Sequence, residues 1–477
     1  MKALARIALA LAGTAVLPAC GQLSPGSAAL VATGYASHQL CSAVFVAGRD
    51  AARYYKEAIA PVAGPIASLT AYTVDLEHRE VRATLAGMAE SRAVFRPPLG
   101  CVNATDRVLP DAPGVPAPQG TTTALLPDIA GDALVEASDP AFRAALDRAF
   151  DERAQAPHRH TEAVVIVHRG RVIAERYADG VGIDTPLTGW SATKSVTNAL
   201  LGILVRQGKL DVKAPAPVAA WADLHDPRHA ITIDQLLRMT SGLDMGQSLT
   251  AGALTAFDPT SRMIFVEADT AAMAETAPLA HAPGSTWNYS NTNTQLLSRI
   301  VRDQAGGTAQ ATREFAQREL FDKLGMRHVT LEFDGAGTPI GASHLWAPAR
   351  DWARFGLLFL HDGVVGGQRI LPAGWADYSA APTPGSEDFG YGAGFWTNRG
   401  DGAGARYRVG RGMPADAFMA RGAHGQYVVI VPSEDLVLVR MGPAFTPRDD
   451  MDAVARLTRE TIEAVSGRAV AQAPVSN

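Results

Sequence analysis

Apolar positions along this chain change period from strand-like to helical and back again. Ala163 to Val167 and Val172 to Tyr177 are dense in apolar residues, and His168-Arg169-Gly170-Arg171 supplies a turn between them. The pair reads as a β-hairpin. It is preceded by a helix that Asp139-Pro140 opens and that runs to about Ala154. From Val196 the period is helical. Val196, Ala199, Leu200, Ile203 and Leu204 form one apolar stripe on a helix that begins near Ser191 and ends at Gly208. Residues 210–380 keep mostly helical patterns separated by long loops. Ile231–Met239 is broken by Thr240-Ser241-Gly242, and Thr294–Gln304 is stopped by Gly306-Gly307. Arg350–Leu360 carries Trp352, Phe355 and Phe359 on one side. Strands return at Tyr427–Val431 and Leu436–Arg440, on either side of Pro432-Ser433-Glu434-Asp435, and a last helix spans about Met451 to Val465. Strands at both ends with helices between predict an α/β (α+β) unit. One antiparallel sheet is closed by both ends of the chain and flanked by helices, with a helical lobe beside it.

The first half of the chain is less regular. Residues 21–36 are rich in Gly, Ser and Ala and are expected to form a tether. Residues 37–101 make a small accessory region, with a helix at Ala51–Ala60 and a strand at Arg79–Leu85. Pro110, Pro113, Pro116, Pro118 and Pro127 mark an extended crossing, so the accessory region and crossing occupy 37–128 and the main domain 129–477.

The N-terminus changes the picture of where the protein works. Lys2 and Arg6 precede an apolar run from Ile7 to Leu17, too short to span a membrane, so residues 1–20 read as an export signal. Leu17-Pro18-Ala19-Cys20 resembles a bacterial lipoprotein cleavage box, which implies lipidation of Cys20 and anchoring in the bacterial envelope; ordinary secretory cleavage is the alternative. With Cys20 set aside, Cys41 and Cys101 remain, and in an oxidising compartment they are expected to pair, the alternative being two buried thiols. The chain has 477 residues, 47% of them hydrophobic, enough for a large core. Its net charge of −5 points away from nucleic-acid partners. No cofactor is expected, and a membrane enters only through the lipid anchor.

Chemistry concentrates in two short motifs. Ser191-Ala192-Thr193-Lys194 is the only Ser-x-x-Lys in the chain, and only six of the 43 basic residues are lysine. On a helix, i and i+3 are neighbours, so Lys194 can reach Ser191. A buried lysine can give up its proton, as arginine does not, and activate a serine hydroxyl. Tyr289-Ser290-Asn291 is the only Tyr-x-Asn. A phenol beside a lysine can shuttle a proton, and an asparagine amide can bind both the lysine and a substrate carbonyl. Taken singly, each motif is also compatible with helix capping and a solvated side chain. His158 and His160 could contribute to a metal site, but no third ligand pattern accompanies them, and a solvated loop is expected.

Together, Ser191, Lys194, Tyr289 and Asn291 resemble the penicillin-recognising serine hydrolases. That group includes class C β-lactamases, DD-peptidases, related esterases and 6-aminohexanoate-dimer hydrolases. Ile231–Leu243, with its Leu236-Leu237-Arg238-Met239-Thr240-Ser241-Gly242-Leu243, and Asp351-Trp352-Ala353-Arg354-Phe355-Gly356 are similar to segments of the same group. The resemblance implies a β-lactamase/transpeptidase-like fold. Ser191 would be the acylated nucleophile, Lys194 its base, Tyr289 a proton relay and Asn291 an orienting group. Where the group carries Lys-Thr-Gly or His-Thr-Gly, this chain has Ala420-Arg421-Gly422, so the basic residue of the first position is missing. The backbone N–H groups of Ser191 and Ala423 are expected to form the oxyanion hole. Another register brings His424 nearer the site. On a strand, Arg421 should point the opposite way from Ala420. The missing basic residue favours a linear amide or a carboxylic ester as substrate over a β-lactam or cell-wall peptide. A catalytically silent envelope-binding protein is the reading from another class. Trp346, Phe395 and Trp396 are candidates for an acyl pocket.

Overall fold

The computed structural model describes residues 24–105, 124–249 and 252–467. The export signal and Cys20, and residues 106–123 of the proline-rich crossing, lie outside them. The first helix, α1, spans Pro25–Cys41. Ser24 caps it by accepting from the Ser27 N–H, and Pro25 sits in the first turn, where a missing N–H costs nothing. The small residues expected to make a tether instead permit close packing. A Cβ on Gly34 would lie 2.3 Å from the Phe265 carbonyl oxygen. The tether is therefore corrected from residue 25 onward: small side chains here serve a buried helix and not a flexible linker.

The accessory region continues with helical turns from Ala51 to Ala63, covering the predicted helix. A four-stranded antiparallel meander follows, β1 (Thr70–Asp75), β2 (Glu80–Leu85), β3 (Ala89–Phe95) and β4 (Cys101–Asn103), in that order. Helix α1 packs across β2 and β3. A disulfide joins Cys41 at the end of α1 to Cys101 in β4, as expected.

The main domain is built on a six-stranded antiparallel sheet. Its strands are β5 (Ala163–His168), β6 (Arg171–Tyr177), β7 (Trp396–Thr397), β8 (Phe418–Gly422), β9 (Gln426–Val431) and β10 (Leu436–Met441). They are ordered β7-β8-β9-β10-β5-β6, so β10 pairs with β5 and the two ends of the domain close one sheet, as predicted. Both faces are covered, which is why these strands read as continuous apolar runs. Alternate residues segregate. Val165, Val428 and Val437 join the core beneath α3 (Thr193–Arg206) and α5 (Ala349–Leu360). Val164, Val429 and Leu438 join the one beneath α2 (Pro140–Phe150) and α6 (Met451–Ser466). Helix α5 rides close on the sheet because residue 356 is glycine; a Cβ there would meet Val437 at 2.5 Å. Helix α4 (Asn291–Gln304), capped by Ser290, packs beside α3 in the helical lobe.

Candidate active site

Ser191 lies in a single 3₁₀ turn, Trp190–Ala192, that runs directly into α3. Trp190 has φ of +46°, a left-handed conformation rarely adopted by a tryptophan, so the packing around it must hold the turn. Two contacts do so. Gly189 packs against the Trp352 ring, where an added Cβ would lie 2.3 Å from a ring carbon, and Gly422 at the end of β8 abuts the same turn. A Cβ on Gly422 would lie 2.0 Å from the Gly189 carbonyl oxygen. The glycine of the third motif thus lets the strand end touch the serine turn, and Ala423, the next residue, lines the same cavity as Ser191.

One turn along α3, Lys194 is buried, and its Nζ meets three acceptors: Ser191 Oγ at 3.2 Å, Asn291 Oδ1 at 2.6 Å and the Ala342 carbonyl oxygen at 2.8 Å. Burial pushes its ammonium down to about 7. A neutral amine has two N–H donors and one lone pair, so it can donate to Asn291 and Ala342 while accepting from the Ser191 hydroxyl. Asn291 is placed at the first turn of α4, where its own N–H donates to Ser248 Oγ at 2.9 Å.

Tyr289 is also buried, and it lines the cavity beside Ser191. Burial raises its phenol to about 12, while the neighbouring Ser191 hydroxyl and the positive Arg421 act in the opposite direction. Its ring sits 5.2 Å from Lys194 Nζ, against Tyr391 and Trp396. Ser191, Lys194 and Asn291, which sequence spacing had singled out separately, thus share one hydrogen-bonded cluster, and the Tyr289 ring packs against its lysine.

A cavity of about 370 Å³ opens on Ser191, Tyr289 and Asn291, and Gly422, Ala423 and His424 line its other side. Ala420 and Arg421 point opposite ways, as expected, and it is Arg421 that faces the site. Ala420 points into the core with Phe418, whereas Arg421 lies on the cavity side. Its guanidinium sits 4.9 Å from the Trp396 ring and pairs with Asp449 at 2.9 Å. Alternation along β8 held, but the residue facing the site is the second and not the first. Of the three aromatics proposed for the acyl pocket, Trp396 lines the cavity. Phe395 is buried against Phe359 and Phe418, and Trp346 is packed with the accessory region.

The Gly422–Gln426 turn is firmly held. Gln426 Nε2 donates to the carbonyl oxygens of His424 at 2.9 Å and Gly442 at 3.0 Å, and Arg440 Nη1 donates to that of Gly425 at 2.8 Å. His424 lies in this turn with φ of +59°, 5.9 Å from the Trp190 ring, and burial lowers its imidazole below the usual range. Sequence reasoning did not identify Gln426 or Arg440 as supports. It also missed Tyr35 and Val62 of the accessory region, both in the cavity wall. Tyr35 stacks on Trp190 with ring centres 6.0 Å apart. No periodicity connects residues so distant in the chain.

His158 and His160 lie 5.1 Å apart beside the Glu152 carboxylate on a partly exposed loop. Among the described residues, the one grouping of potential metal ligands is elsewhere: His38, Glu332 and His344, all buried, with ligand atoms within 4.8 Å of one another. Its contacts fit a polar joint. Glu332 accepts from Ser42 Oγ at 2.7 Å and the Cys101 N–H at 2.8 Å, and its other oxygen lies 3.1 Å from His38 Nε2. His38 Nδ1 bonds Asn103 Oδ1 at 2.7 Å, so the cluster fastens α1 and β4 to the helical lobe.

Comparison with known proteins agrees with this fold. The β-lactamase family profile matches residues 146–463. Protein Rv1367c of Mycobacterium tuberculosis is 29% identical, over 52% of this chain and 75% of its own. The 6-aminohexanoate-dimer hydrolase of Paenarthrobacter ureafaciens is 25% identical, over 59% of this chain and 72% of its own. Among solved structures, the penicillin-binding protein from Bacillus halodurans superimposes with a TM-score of 0.50 and 18% identity, covering 68% of this chain and 99% of its own. EstCE1, a hydrolase with promiscuous acyltransferase activity, also gives a TM-score of 0.50, with 17% identity over 67% of this chain and 96% of its own. With its sheet, its serine turn and a family match over most of its length, this chain belongs to the β-lactamase family of serine hydrolases.

Proposed function

We propose that the protein hydrolyses a carboxylic ester or a linear amide through an acyl-enzyme on Ser191. The single observation that carries this reading is the hydrogen-bonding of Lys194, whose amine lies against Ser191 Oγ and is held near neutral pKa by burial. Lys194 Nζ takes the Ser191 proton as Oγ attacks the carbonyl carbon. The negative oxygen that develops is met by the Ser191 and Ala423 N–H groups, fixed in place by Gly422 and the Gln426-braced turn. Tyr289, beside Lys194 and in the same cavity as Ser191, passes a proton to the leaving alcohol or amine. Water then attacks the acyl carbon, the same groups take its proton, and Ser191 regains its own. Asn291 holds Lys194 and is placed to donate its amide N–H to the substrate. The base role is shared between Lys194 and Tyr289 as a coupled pair.

Arg421 gives the β-lactamase or DD-peptidase alternative its only cation on the cavity wall among the described residues. The guanidinium is already paired with Asp449, which also lines the cavity, so a substrate carboxylate would meet a neutralised site. This favours an uncharged ester or amide. The disulfide supports action in an oxidising compartment outside the cytoplasm. The test is a paired assay of p-nitrophenyl acetate and a chromogenic cephalosporin, with Ser191→Ala as the blank and intact-mass detection of the acyl adduct. Ser191-dependent ester turnover with an adduct on the wild type supports the reading. Efficient cephalosporin cleavage replaces it with the β-lactamase alternative. No labelling by a serine-reactive phosphonate overturns both in favour of a binding protein.

A further inference from the structure

The polar joint between the accessory region and the helical lobe lacks a cation that its contacts require. His38 and His344 are 1% exposed, and Glu332 is fully buried. Asn103 fixes the tautomer of His38. Its amide nitrogen donates to the carbonyl oxygens of Gly34, at 3.1 Å, and of Phe265, so its Oδ1 faces His38 as an acceptor. In that 2.7 Å contact His38 Nδ1 therefore carries the hydrogen. Nε2 of a neutral ring is then a bare lone pair, yet it lies 3.1 Å from Glu332 Oε2, another acceptor. Either a second proton on the ring or a metal ion must stand between them. His344 separates the two cases. Its ring is 4.5 Å from that of His38, and its Nδ1 bonds Ser343 Oγ at 2.6 Å. Its Nε2 is buried with no hydrogen-bond partner among the described residues. A proton shared by His38 and Glu332 leaves that nitrogen unsatisfied, whereas a metal gives all three groups a partner. One candidate ligand atom from each of the three residues lies within 4.8 Å of the other two.

We propose that His38, Glu332 and His344 bind one divalent transition-metal ion, Zn²⁺ being the best match. Zinc takes two imidazoles and a carboxylate at about 2.0–2.2 Å. Ligands at that distance and a tetrahedral angle sit roughly 3.3 Å apart, close to the 3.1 Å between His38 Nε2 and Glu332 Oε2. The surroundings are those of a metal centre. Each imidazole spends Nδ1 on a protein oxygen and leaves Nε2 available, and Glu332 Oε1 is oriented by Ser42 Oγ and the Cys101 N–H. The ion joins α1 to Glu332 and to residues 342–344, where the Ala342 carbonyl receives Lys194. It stands apart from the reacting atoms and locks the accessory region onto the main domain, whatever the substrate.

The experiment uses the full exported chain without a histidine tag, produced in zinc-supplemented medium and passed over a chelating resin. Elemental analysis should find about one zinc per chain. Exhaustive chelation should lower the melting temperature, and zinc sulfate should restore it. Cobalt chloride added to the stripped protein should give the visible absorption of tetrahedral Co²⁺. Glu332→Gln offers an N–H to His38 Nε2 and so satisfies that contact without a metal, while His344→Gln removes the third ligand. Each variant should retain at least ten-fold less zinc than the wild type, since even outer-shell changes cost about 10–100-fold in affinity. The melting temperature of each should be indifferent to chelator. Wild-type protein that carries no stoichiometric metal, and whose melting responds to neither zinc nor cobalt, overturns the site whatever the variants do. So does zinc retained equally by both folded variants, which would place it elsewhere, the His158 and His160 loop included.

Discussion

Lys194 Nζ donates to Asn291 Oδ1 at 2.6 Å, linking the first turn of one helix to the first turn of another. An amide accepts this bond without charge, so burial dominates and the lysine can be neutral near pH 7. Asn291→Asp replaces the amide oxygen with a carboxylate of the same reach. An opposite charge this close raises a lysine by about 1–3 units. The acidic limb of the kcat/KM profile should then move from near pH 7 to above pH 8, with lower activity at neutral pH. A limb that stays near pH 7 in Asn291→Asp would exclude Lys194 as the group that must lose its proton.

The same lysine makes stability depend on pH. Its ordinary value is 10.5 and its folded value is about 7. Between these, the unfolded chain holds a proton that the folded chain has released, so folding is favoured more as pH rises through that window. Below about 7 both states are charged and the cost of burying the ammonium is full. Lys194→Met removes the group. The wild-type stability minus that of Lys194→Met should therefore increase by a few kcal/mol from pH 6.5 to 10. Urea melts across pH read it directly, and a difference independent of pH would refute the buried neutral lysine.

Gly422→Ala tests the contact between strand and serine turn. The added methyl would fall 2.0 Å from the Gly189 carbonyl oxygen, and backbone on both sides leaves no side chain to yield. Overpacking of this kind costs about 1–3 kcal/mol. Displacing one oxyanion donor costs roughly 10²–10³ in kcat. A folded variant with a modestly lower melting temperature and almost no ester turnover is expected. Wild-type kinetics would mean that Ala423 N–H plays no part.

The disulfide closes a loop of 60 residues. Cross-linking a loop of that length lowers the entropy of the unfolded chain by an amount worth about 4 kcal/mol in stability. Reduction, or the Cys41→Ser, Cys101→Ser double variant, should lower the melting temperature. Because α1 carries Tyr35 into the cavity wall and onto Trp190, the change should also lower Ser191-dependent ester turnover. Thiol titration under denaturing conditions checks the pairing, and unchanged melting after complete reduction would contradict it.

What the amino-acid order determined by itself was local or periodic. Helical spacing put Lys194 one turn from Ser191. Apolar strand runs at both ends of the main domain foretold a sheet closed by both, and Tyr289-Ser290-Asn291 announced itself by residue type alone. These depend on neighbours within a few positions, where backbone geometry dictates proximity. The tertiary structure decided what depends on distant packing. Glycine, serine and alanine in residues 25–36 have the composition of a linker, yet the grooves around Phe265 make the same small side chains a packing surface. Ala420 and Arg421 alternate as any strand residues do, but the sheet face covered by α3 and α5 could only be assigned once the helices were in place. Tyr35 and Trp190 are more than 150 positions apart. Their stacking follows from the buried joint of His38, Asn103 and Glu332, and no local pattern encodes it, because each partner satisfies its hydrogen bonds with groups from another part of the chain.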